Sequence, residues 1–250
     1  MIIAQISDSH IDPDDPDAEP RIGDLERVVA HINGLDTQPD AVIHTGDLTH
    51  NGTHAKYAAA AAVLKDLAPP LHIAAGNRDD RALLDEYYPG GRDLMPGTPY
   101  RQFSVDDYPI RLIALDTLSQ ESNMGDFCQD RADSLKAALA EQPDTPTVLF
   151  MHHPPFVVTA SRYTHQYDDW DGVGRMAGAL EGHAQVIRAF TGHAHRDAVG
   201  AVAHVPASSA PSLAIDLRLG AFGDGVATAP LYKLHRFGNG GVETTLQAAQ

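Results

Sequence analysis

The sequence predicts a layered α/β fold with a packed hydrophobic core. Short apolar runs alternate with stretches of helical periodicity, which is typical of this class. Hydrophobic residues make up 43% of the 250 residues and charged residues 21%, a balance that favours a globular core over disorder. Because no repeat or low-complexity linker divides the chain, we expect a single domain over residues 1–250.

Six strands and five helices follow from this alternation. The strands are predicted at residues 2–7, 41–45, 71–75, 111–116, 147–151 and 185–191. The helices are predicted at residues 23–34, 55–66, 80–87, 131–141 and about 172–180. Alanine, which has the highest helix propensity, dominates the second helix, and Asp130 or Asp133 is a candidate N-cap for the fourth.

The C-terminal part of the chain has a different pattern. Two apolar runs, 231–237 and 242–247, flank the sequence Gly238-Asn239-Gly240-Gly241, which predicts a β-hairpin. We expect this hairpin to form an antiparallel sheet edge that closes the fold. The Gly- and Asp-rich stretch 219–229 is interpreted as an irregular loop near the active site or at an interface.

Charge and composition exclude several classes of function. The formal net charge of −16 argues against a nucleic acid polymer as partner, because such proteins need a basic surface. Cys128 is the only cysteine, so neither an internal disulfide nor a thiolate metal cluster can form. The sequence has neither a signal-peptide pattern nor an apolar stretch of about 18 residues, so we expect a cytoplasmic protein without a membrane span.

Side chains with metal-binding atoms follow five of the six predicted strands. Residues two apart in an extended segment point to the same side, and ligands of open α/β sheets bind at the carboxyl ends of strands. In chain order, these side chains belong to Asp8, His10, Asp47, Asn77, His152, His193 and His195. Such a set indicates a site for two divalent metal ions and therefore a hydrolase, for which phosphate esters are the usual substrates.

Each motif alone is weak evidence. An Asp-x-His sequence at a strand end is more often a hydrogen-bonded turn, and a Gly-Asp pair is ordinary in turns. The pair His193 and His195 is more specific, since two histidines at this spacing are seldom needed for packing. A glycine precedes the candidate ligand at three strand ends, where a positive φ or a close backbone approach is often required. The complete set therefore carries the interpretation.

The five motifs together resemble the signature of the calcineurin-like metallophosphoesterases. They are Asp8-Ser9-His10, Gly46-Asp47, Gly76-Asn77, His152-His153-Pro154-Pro155 and Gly192-His193-Ala194-His195. The resemblance covers about residues 1–197 and is greatest to the bacterial branch of class III cyclic nucleotide phosphodiesterases and glycerophosphodiesterases. It implies a four-layer αββα sandwich of two mixed β-sheets flanked by helices, with residues 198–250 as a variable closing segment.

The resemblance also implies a role for each ligand. One metal ion is expected on Asp8, His10 and His195, the other on Asn77, His152 and His193, with Asp47 bridging the two. His152 is preferred to His153 because the family's ligand is the histidine two residues before the first proline. Carboxylate, amide and imidazole ligands without sulfur suit two divalent ions chosen from Mn, Fe and Zn.

The implied activity is hydrolysis of a small phosphate diester, either a cyclic nucleotide or a glycerophosphodiester. In such a site, a hydroxide held by two metal ions attacks phosphorus, and no serine or cysteine nucleophile is needed. A phosphomonoesterase or phosphonate monoesterase is an alternative for the same site. A catalytically weak, metal-bound regulatory module is another. The resemblance further implies self-association as a dimer or larger homo-oligomer.

One residue departs from the family pattern, in which a histidine usually follows Asn77. Here that residue is Arg78, which stays protonated and is a poor proton donor. We expect Asn77, Arg78 and His153 to be the catalytic residues, with Arg78 stabilising phosphoryl charge and with water or His153 protonating the leaving group. Alternatively, Arg78 forms a structural ion pair with Asp79 or Asp80. A third alternative is that the enzyme is slow or has shifted toward substrates with good leaving groups.

Several other histidines and an aromatic segment lie near the predicted ligands in the sequence. His44 lies inside a predicted strand and is interpreted as a core histidine. His50 and His54 follow Asp47 in a loop and either face the substrate or, as we prefer, lie at the surface. The segment 162–170 is rich in aromatic residues. It is either a lid over the metal ions or an oligomer contact.

Overall fold

The computed structural model describes residues 1–223, 225–238 and 240–250 and contains twelve strands and five helices among them. The strands are β1 (Ile2–Ile6), β2 (Ala41–His44), β3 (Leu71–Ile73), β4 (Arg92–Asp93), β5 (Phe103–Val105), β6 (Arg111–Ala114), β7 (Thr147–Phe150), β8 (Val186–Thr191), β9 (Ala198–Val202), β10 (Val205–Ser209), β11 (Leu231–Gly238) and β12 (Gly241–Ala248). The helices are α1 (Glu19–Asn33), α2 (His54–Leu64), α3 (Arg81–Tyr87), α4 (Gln129–Glu141) and α5 (Trp170–Leu180).

The strands form two mixed sheets. The first has the order β12-β11-β1-β2-β3, in which β1, β2 and β3 are parallel because α1 and α2 connect them. The second has the order β4-β5-β6-β7-β8-β10-β9, with a parallel centre and antiparallel strands at both ends. The carboxyl ends of the parallel strands in the two sheets lie on the same side of the molecule, where the candidate ligands meet.

Three apolar layers hold these elements together. Ile3 and Ile43 of the first sheet meet Leu112, Phe150 and Phe190 of the second, which places one layer between the sheets. A second layer packs α1, α2 and α3 on the outer face of the first sheet, and a third packs α4 and α5 on the outer face of the second. Three apolar layers separate four structural layers, so the predicted αββα sandwich is confirmed.

All six predicted strands and all five predicted helices are present, with boundaries that differ by a few residues. Helix α1 begins at Glu19 rather than at residue 23, because Pro20 fits the first turn of a helix. The predicted cap of α4 is wrong, since Cys128 occupies the N-cap without a side-chain hydrogen bond and Asp130 lies in the first turn. In the described part of the chain, no helix is long and apolar enough to span a membrane.

The predicted hairpin is present as β11 and β12, which pair antiparallel from Leu231 and Ala248 to Gly238 and Gly241. Asn239, in the predicted turn, lies outside the described residues. Strand β11 pairs antiparallel with β1, so the hairpin forms one edge of the first sheet. Four strands were not predicted, because β4 and β5 are very short and β9 and β10 consist mainly of small residues.

Candidate metal centre

The seven predicted ligands lie together in the crevice at the carboxyl ends of the two sheets. Asp8 and His10 follow β1, Asp47 follows β2 and Asn77 follows β3, all from the first sheet. His152 follows β7, and the pair His193 and His195 follows β8, both from the second sheet. Each sheet therefore contributes one part of the site, and the packing of the two sheets brings the parts into contact.

The first group of ligand atoms belongs to Asp8, His10 and His195. The Nε2 atoms of His10 and His195 are 3.2 Å apart. Asp8 Oδ1 lies 3.3 Å from Nε2 of His195 and 3.9 Å from Nε2 of His10. These three side chains are close enough to share a single metal ion.

The second group belongs to Asn77, His152 and His193. Asn77 Oδ1 is 3.0 Å from both His152 Nε2 and His193 Nδ1, and these two nitrogens are 3.2 Å apart. Asp47 lies between the groups, because its Oδ2 is 3.5 Å from His10 Nε2 and 3.4 Å from His152 Nε2. One carboxylate oxygen is thus within reach of both groups.

Five of the seven residues have a left-handed backbone conformation. The φ angles of Asp8, His10, Asp47, His193 and His195 lie between 46° and 63°. Non-glycine residues adopt this region infrequently, at a cost of about 1–3 kcal/mol each, and they do so mainly at functional sites. Backbone bonds compensate part of that cost, including Asp8 N to Gly46 O at 3.1 Å and His10 N to Asp47 O at 3.0 Å.

Two glycines beside the ligands show why that residue type is needed. Gly46 has a φ of 92°, which side chains rarely tolerate. A Cβ atom on Gly76 would overlap both the backbone nitrogen and Oδ1 of Asp47. The expected positive φ and the expected close approach therefore both occur.

Backbone carbonyls orient two of the imidazoles. His152 Nδ1 donates to Thr45 O at 2.8 Å, and His195 Nδ1 donates to Leu217 O at 3.0 Å. Since a carbonyl only accepts, each Nδ1 carries a proton, and Nε2 is the ring atom that faces the crevice and can bind a metal ion once the ring is neutral. This arrangement is typical of metal-binding histidines.

The electrostatics of the crevice favour a cation. Asp8 and Asp47 are buried, and within the described ranges neither forms a salt bridge with a lysine or arginine. Burial alone raises the pKa of Asp8, but His195 outweighs it and lowers that pKa to about 2. Burial opposes a charge on His152, yet Asp47 and Asp8 raise its pKa to about 9. In the described ranges the partners of both carboxylates are histidines, which must give up a proton to bind a metal ion, so the two carboxylates favour a cation at this point.

The remaining imidazoles are suited to coordination. Burial lowers the pKa of His10 to about 4 and that of His193 to about 3, so both rings are neutral near pH 7. Metal ligands must be deprotonated, and these histidines meet that condition. Two carboxylates, one amide oxygen and four imidazoles, without sulfur, fit the divalent ions Mn, Fe and Zn.

Arg78 lies beside this centre and makes no ion pair with its acidic neighbours. Its Nη1 donates to Asn51 Oδ1 at 3.1 Å, and its backbone N donates to Asp47 Oδ1 at 2.7 Å. Asp79 is buried and accepts bonds from backbone amides, while Asp80 caps α3. The alternative of a structural ion pair with Asp79 or Asp80 is therefore wrong, and among the described residues the guanidinium of the half-buried Arg78 bonds to the neutral Asn51.

His153 is fully buried next to the second group. Its Nδ1 is 2.9 Å from Thr117 Oγ1, and its Nε2 donates to Asn123 O at 3.2 Å. Burial, with His193 nearby, holds the pKa of His153 well below its usual value. Both ring nitrogens have protein partners, so the geometry favours a role in positioning His193, whose ring centroid is 4.4 Å away, over proton transfer.

Three residues near the site have contacts that the sequence did not reveal. Asp79 accepts bonds from the amides of Leu48 and Gly76, which ties together the loops that carry Asp47 and Asn77. His50 is half-buried, with Nδ1 3.5 Å from His10 Nδ1. Asn123 Oδ1 accepts from Asn77 Nδ2 at 3.5 Å. Each depends on a contact distant in sequence, so local pattern held no signal for it.

The structure also gives the positions of His44, of the aromatic segment 162–170 and of the start of the stretch 219–229. His44 is buried, with Nε2 2.8 Å from Ser9 Oγ, which confirms a core histidine. In the segment 162–170, Tyr167 is buried and donates to His153 O at 3.3 Å, while Tyr163 and Trp170 are exposed. The stretch 219–229 begins beside the site, where Leu219 N donates to His195 O at 2.9 Å.

Comparison with known proteins agrees with this geometry. Residues 1–197 match the family described as Calcineurin-like phosphoesterase. A probable glycerophosphodiester phosphodiesterase GpdQ of Arcobacter nitrofigilis is 31% identical over 246 residues, which cover 94% of this chain and 88% of that protein. A probable cyclic nucleotide phosphodiesterase of Rhodopseudomonas palustris is 31% identical over 191 residues, covering 73% and 66% respectively.

A solved structure shares the fold at low sequence identity. The purple acid phosphatase PPD1 of yellow lupin superposes with a TM-score of 0.63 at 12% identity, over 100% of this chain and 51% of that one. This likeness concerns the arrangement of sheets and helices alone.

Proposed function

The chain belongs to the calcineurin-like phosphoesterase family, a family of phosphoester hydrolases, and on that premise we propose that it is a dinuclear-metal phosphodiesterase. Its proposed substrate is a small phosphate diester, either a glycerophosphodiester or a cyclic nucleotide. Relatives about 31% identical to this chain carry the names of phosphodiesterases for these two substrate classes, which supports the diester over the monoester.

One observation carries the dinuclear proposal. Asp47 Oδ2 lies within 3.5 Å of a nitrogen in each ligand group, at 3.5 Å from His10 and 3.4 Å from His152. A carboxylate in that position serves two ions at once. We therefore assign Asp8, His10 and His195 to one metal ion, Asn77, His152 and His193 to the other, and Asp47 to both.

Divalent ions bound there supply a water-derived nucleophile near neutral pH and neutralise charge on the phosphoryl oxygens. The protein keeps the proposed metal ligands in a fixed orientation. Thr45 O and Leu217 O fix two imidazoles through their Nδ1 protons, and the amide of Arg78 fixes the Asp47 carboxylate. Rigid ligands reduce the reorganisation that the reaction requires.

Arg78 is proposed to stabilise the charge that develops on the phosphoryl oxygens. Its planar guanidinium has a fork of N–H donors that can bind two phosphoryl oxygens at once. Because Arg78 is a poor acid and His153 uses both ring nitrogens in the protein, the leaving oxygen is proposed to take its proton from water. Asn77 is proposed to act beside Arg78 as a ligand of the second metal ion.

The first experiment compares Mn²⁺-dependent hydrolysis of a generic aryl phosphodiester with that of the matching monoester. We expect the diester to be the better substrate and Asp47→Asn to lower kcat/KM at least about 100-fold, since even partners of metal ligands contribute 10- to 100-fold. Asp106→Asn is the matched control, because Asp106 pairs with Arg111 in the second sheet and contacts no ligand. It should retain activity.

Each alternative predicts a different result. Preference for the monoester would place the protein among the phosphomonoesterases. Binding of two Mn²⁺ ions without hydrolysis of either ester would contradict the enzymatic proposal and favour a metal-bound regulatory module. With a diesterase established, glycerophosphodiesters and cyclic nucleotides are compared next.

A further inference from the structure

One arginine of α1 is bonded to the first ligand group and to the turn beside it. Arg21 is 9% exposed, and its Nη1 donates to the backbone oxygen of His10 at 3.2 Å. Its Nε and Nη2 both donate to the carboxylate of Asp216, with Nη2 2.7 Å from Oδ2. Arg21 thus joins His10 to Asp216, which lies 195 positions after Arg21 in the chain.

Asp216 belongs to the 3-10 turn Ile215–Leu217, which orients the other histidine of that group. Leu217 O accepts the Nδ1 proton of His195 at 3.0 Å. A change in the position of this turn would therefore move the carbonyl that sets both the tautomer and the orientation of the His195 ring.

The same turn has a second attachment to α1. Asp24 Oδ2 accepts from the amide of Ile215 at 2.9 Å, and Asp24 is itself paired with Arg27 at 2.6 Å. Helix α1 therefore holds the turn through Asp24 and through the Arg21–Asp216 pair. Two attachments give the turn a defined position relative to the helix.

The second ligand group is oriented by different contacts. His152 donates to Thr45 O in the first sheet, and Asn77 donates to Asn123. Among the described residues, Arg21 and Asp216 bond to no member of that group. The brace formed by α1 is consequently specific to one of the two ligand groups.

We infer that Arg21 and Asp216 are positioning residues for the metal ion on Asp8, His10 and His195, and that they set its affinity independently of the other ion. This inference rests on the proposed function, because it assumes two metal ions. His10 and His195 both have a left-handed backbone, with φ of 46° and 51°, so neighbouring contacts must hold them in that conformation.

The test separates the two metal sites. Asn77→Ala leaves the first ligand group intact, and His10→Ala leaves the second intact. Asp216→Asn is added to each, because its side chain is 44% exposed and the substitution keeps its shape. In metal-stripped protein titrated with Mn²⁺ by calorimetry, Asp216→Asn should weaken binding about 10- to 100-fold in the Asn77→Ala background. In the His10→Ala background it should leave the affinity unchanged.

Two further variants complete the design. Asp106→Asn also removes the charge of a partly exposed carboxylate that pairs with a buried arginine, and it should affect neither background. Arg21→Lys keeps the charge but loses the planar fork, so it should reproduce the selective loss. Equal weakening of both sites, or of neither, by Asp216→Asn would overturn the inference. Absence of Mn²⁺ binding by the unsubstituted protein would instead overturn the proposed function.

Discussion

Single residues at the crevice combine strained backbones with buried charge. Five of the seven proposed ligands have positive φ angles, and two buried carboxylates lack a lysine or arginine partner among the described residues. Both features cost free energy, so they persist only because the surrounding hydrogen bonds hold the loops in place. Gly76 allows one such close contact, because a side chain there would overlap Asp47.

Arg78 offers a direct test at this scale. Arg78→Met should lower kcat/KM for an aryl phosphodiester about 10- to 100-fold, because a charge-assisted hydrogen bond contributes roughly 1.5–3 kcal/mol. Arg78→His should retain more activity but should add a titration near pH 6.5 to the pH–rate profile, since an imidazole loses its charge there. Steady-state kinetics between about pH 5.5 and 8.5 measure both effects.

The control for this prediction is Arg236→Met, which removes an exposed arginine of β11. It should leave the rate and the profile unchanged. If Arg78→His also leaves both unchanged, Arg78 has no part in stabilising the phosphoryl charge.

At the scale of elements, a buried network of hydrogen bonds connects the two sheets near the hairpin. In β11, His235 Nε2 lies 3.0 Å from Gln5 Oε1 of β1, and His235 Nδ1 lies 2.9 Å from Thr244 Oγ1 of β12. Gln5 in turn donates to Thr191 O of β8 at 2.8 Å, and the His235 ring stacks on Phe190 at 3.8 Å. This network therefore fixes the position of the hairpin β11–β12 relative to the second sheet.

The buried His235 in this network predicts a contribution to the free energy of unfolding that is lost in acid. Burial, with Lys233 nearby, holds the pKa of His235 well below 6.5, so the folded protein takes up this proton less readily than the unfolded chain. The contribution of neutral His235 to the free energy of unfolding is complete above about pH 6.5. It declines as the pH falls below that value, by at most about 1.4 kcal/mol per pH unit. His235→Gln should therefore reduce the loss of stability between about pH 7.5 and 5.

Urea unfolding at the two pH values measures that loss. Buried histidines at the crevice contribute to it in every variant, so the comparison is the difference between His235→Gln and the unsubstituted protein. His204→Gln is the matched control, because His204 is exposed and should leave the pH dependence unaltered. An unchanged dependence in His235→Gln would show that folding does not lower the pKa of His235.

At the scale of the whole molecule, the metal ions are expected to join the two sheets. The proposed ligands come from loops of both sheets, and the net charge of −16 adds to the negative potential of the crevice. A bound cation would compensate this charge and add a connection between the two sheets to the apolar layer and the hydrogen bond from Gln5 to Thr191. The single-domain organisation and self-association of the protein stay predictions.

Metal removal should therefore lower thermal stability. A ligand at 100 times its Kd stabilises a protein by about 2.7 kcal/mol, which corresponds to roughly 5–10 °C in Tm for each site in a chain of this size. We expect Mn²⁺ or Zn²⁺ to raise the Tm of chelator-treated protein by this amount. Mg²⁺ should raise it less, because it prefers oxygen ligands to imidazole.

Differential scanning calorimetry with and without each ion provides the measurement. Asp47→Asn should show a smaller metal-dependent shift, because one carboxylate is proposed to serve both ions. Equal shifts with Mg²⁺ and Mn²⁺ would contradict coordination by the four histidines.

The main strands, the helices, the hairpin and the seven candidate ligands were all readable from the sequence. Their signals are local, since periodicity, turn residues and short motifs depend on neighbours in the chain. The pairing of Asp8 with His10 and of His193 with His195 is of this kind. The preference for His152 over His153, in contrast, comes from the family resemblance, which places the ligand two residues before the first proline.

Only the tertiary structure decided how these residues meet. The family resemblance implied that Asp47 bridges two ligand groups, and the structure supplies the distances. The brace from Arg21 to Asp216 and the hydrogen bonds of His153 with Thr117 and Asn123 also join distant parts of the chain, and neither was predicted. The short or small-residue strands β4, β5, β9 and β10 exist because they pair with neighbours, since their own sequences lack a strand pattern. Contacts of this kind are set by the packing of two sheets, and no local sequence signal records them.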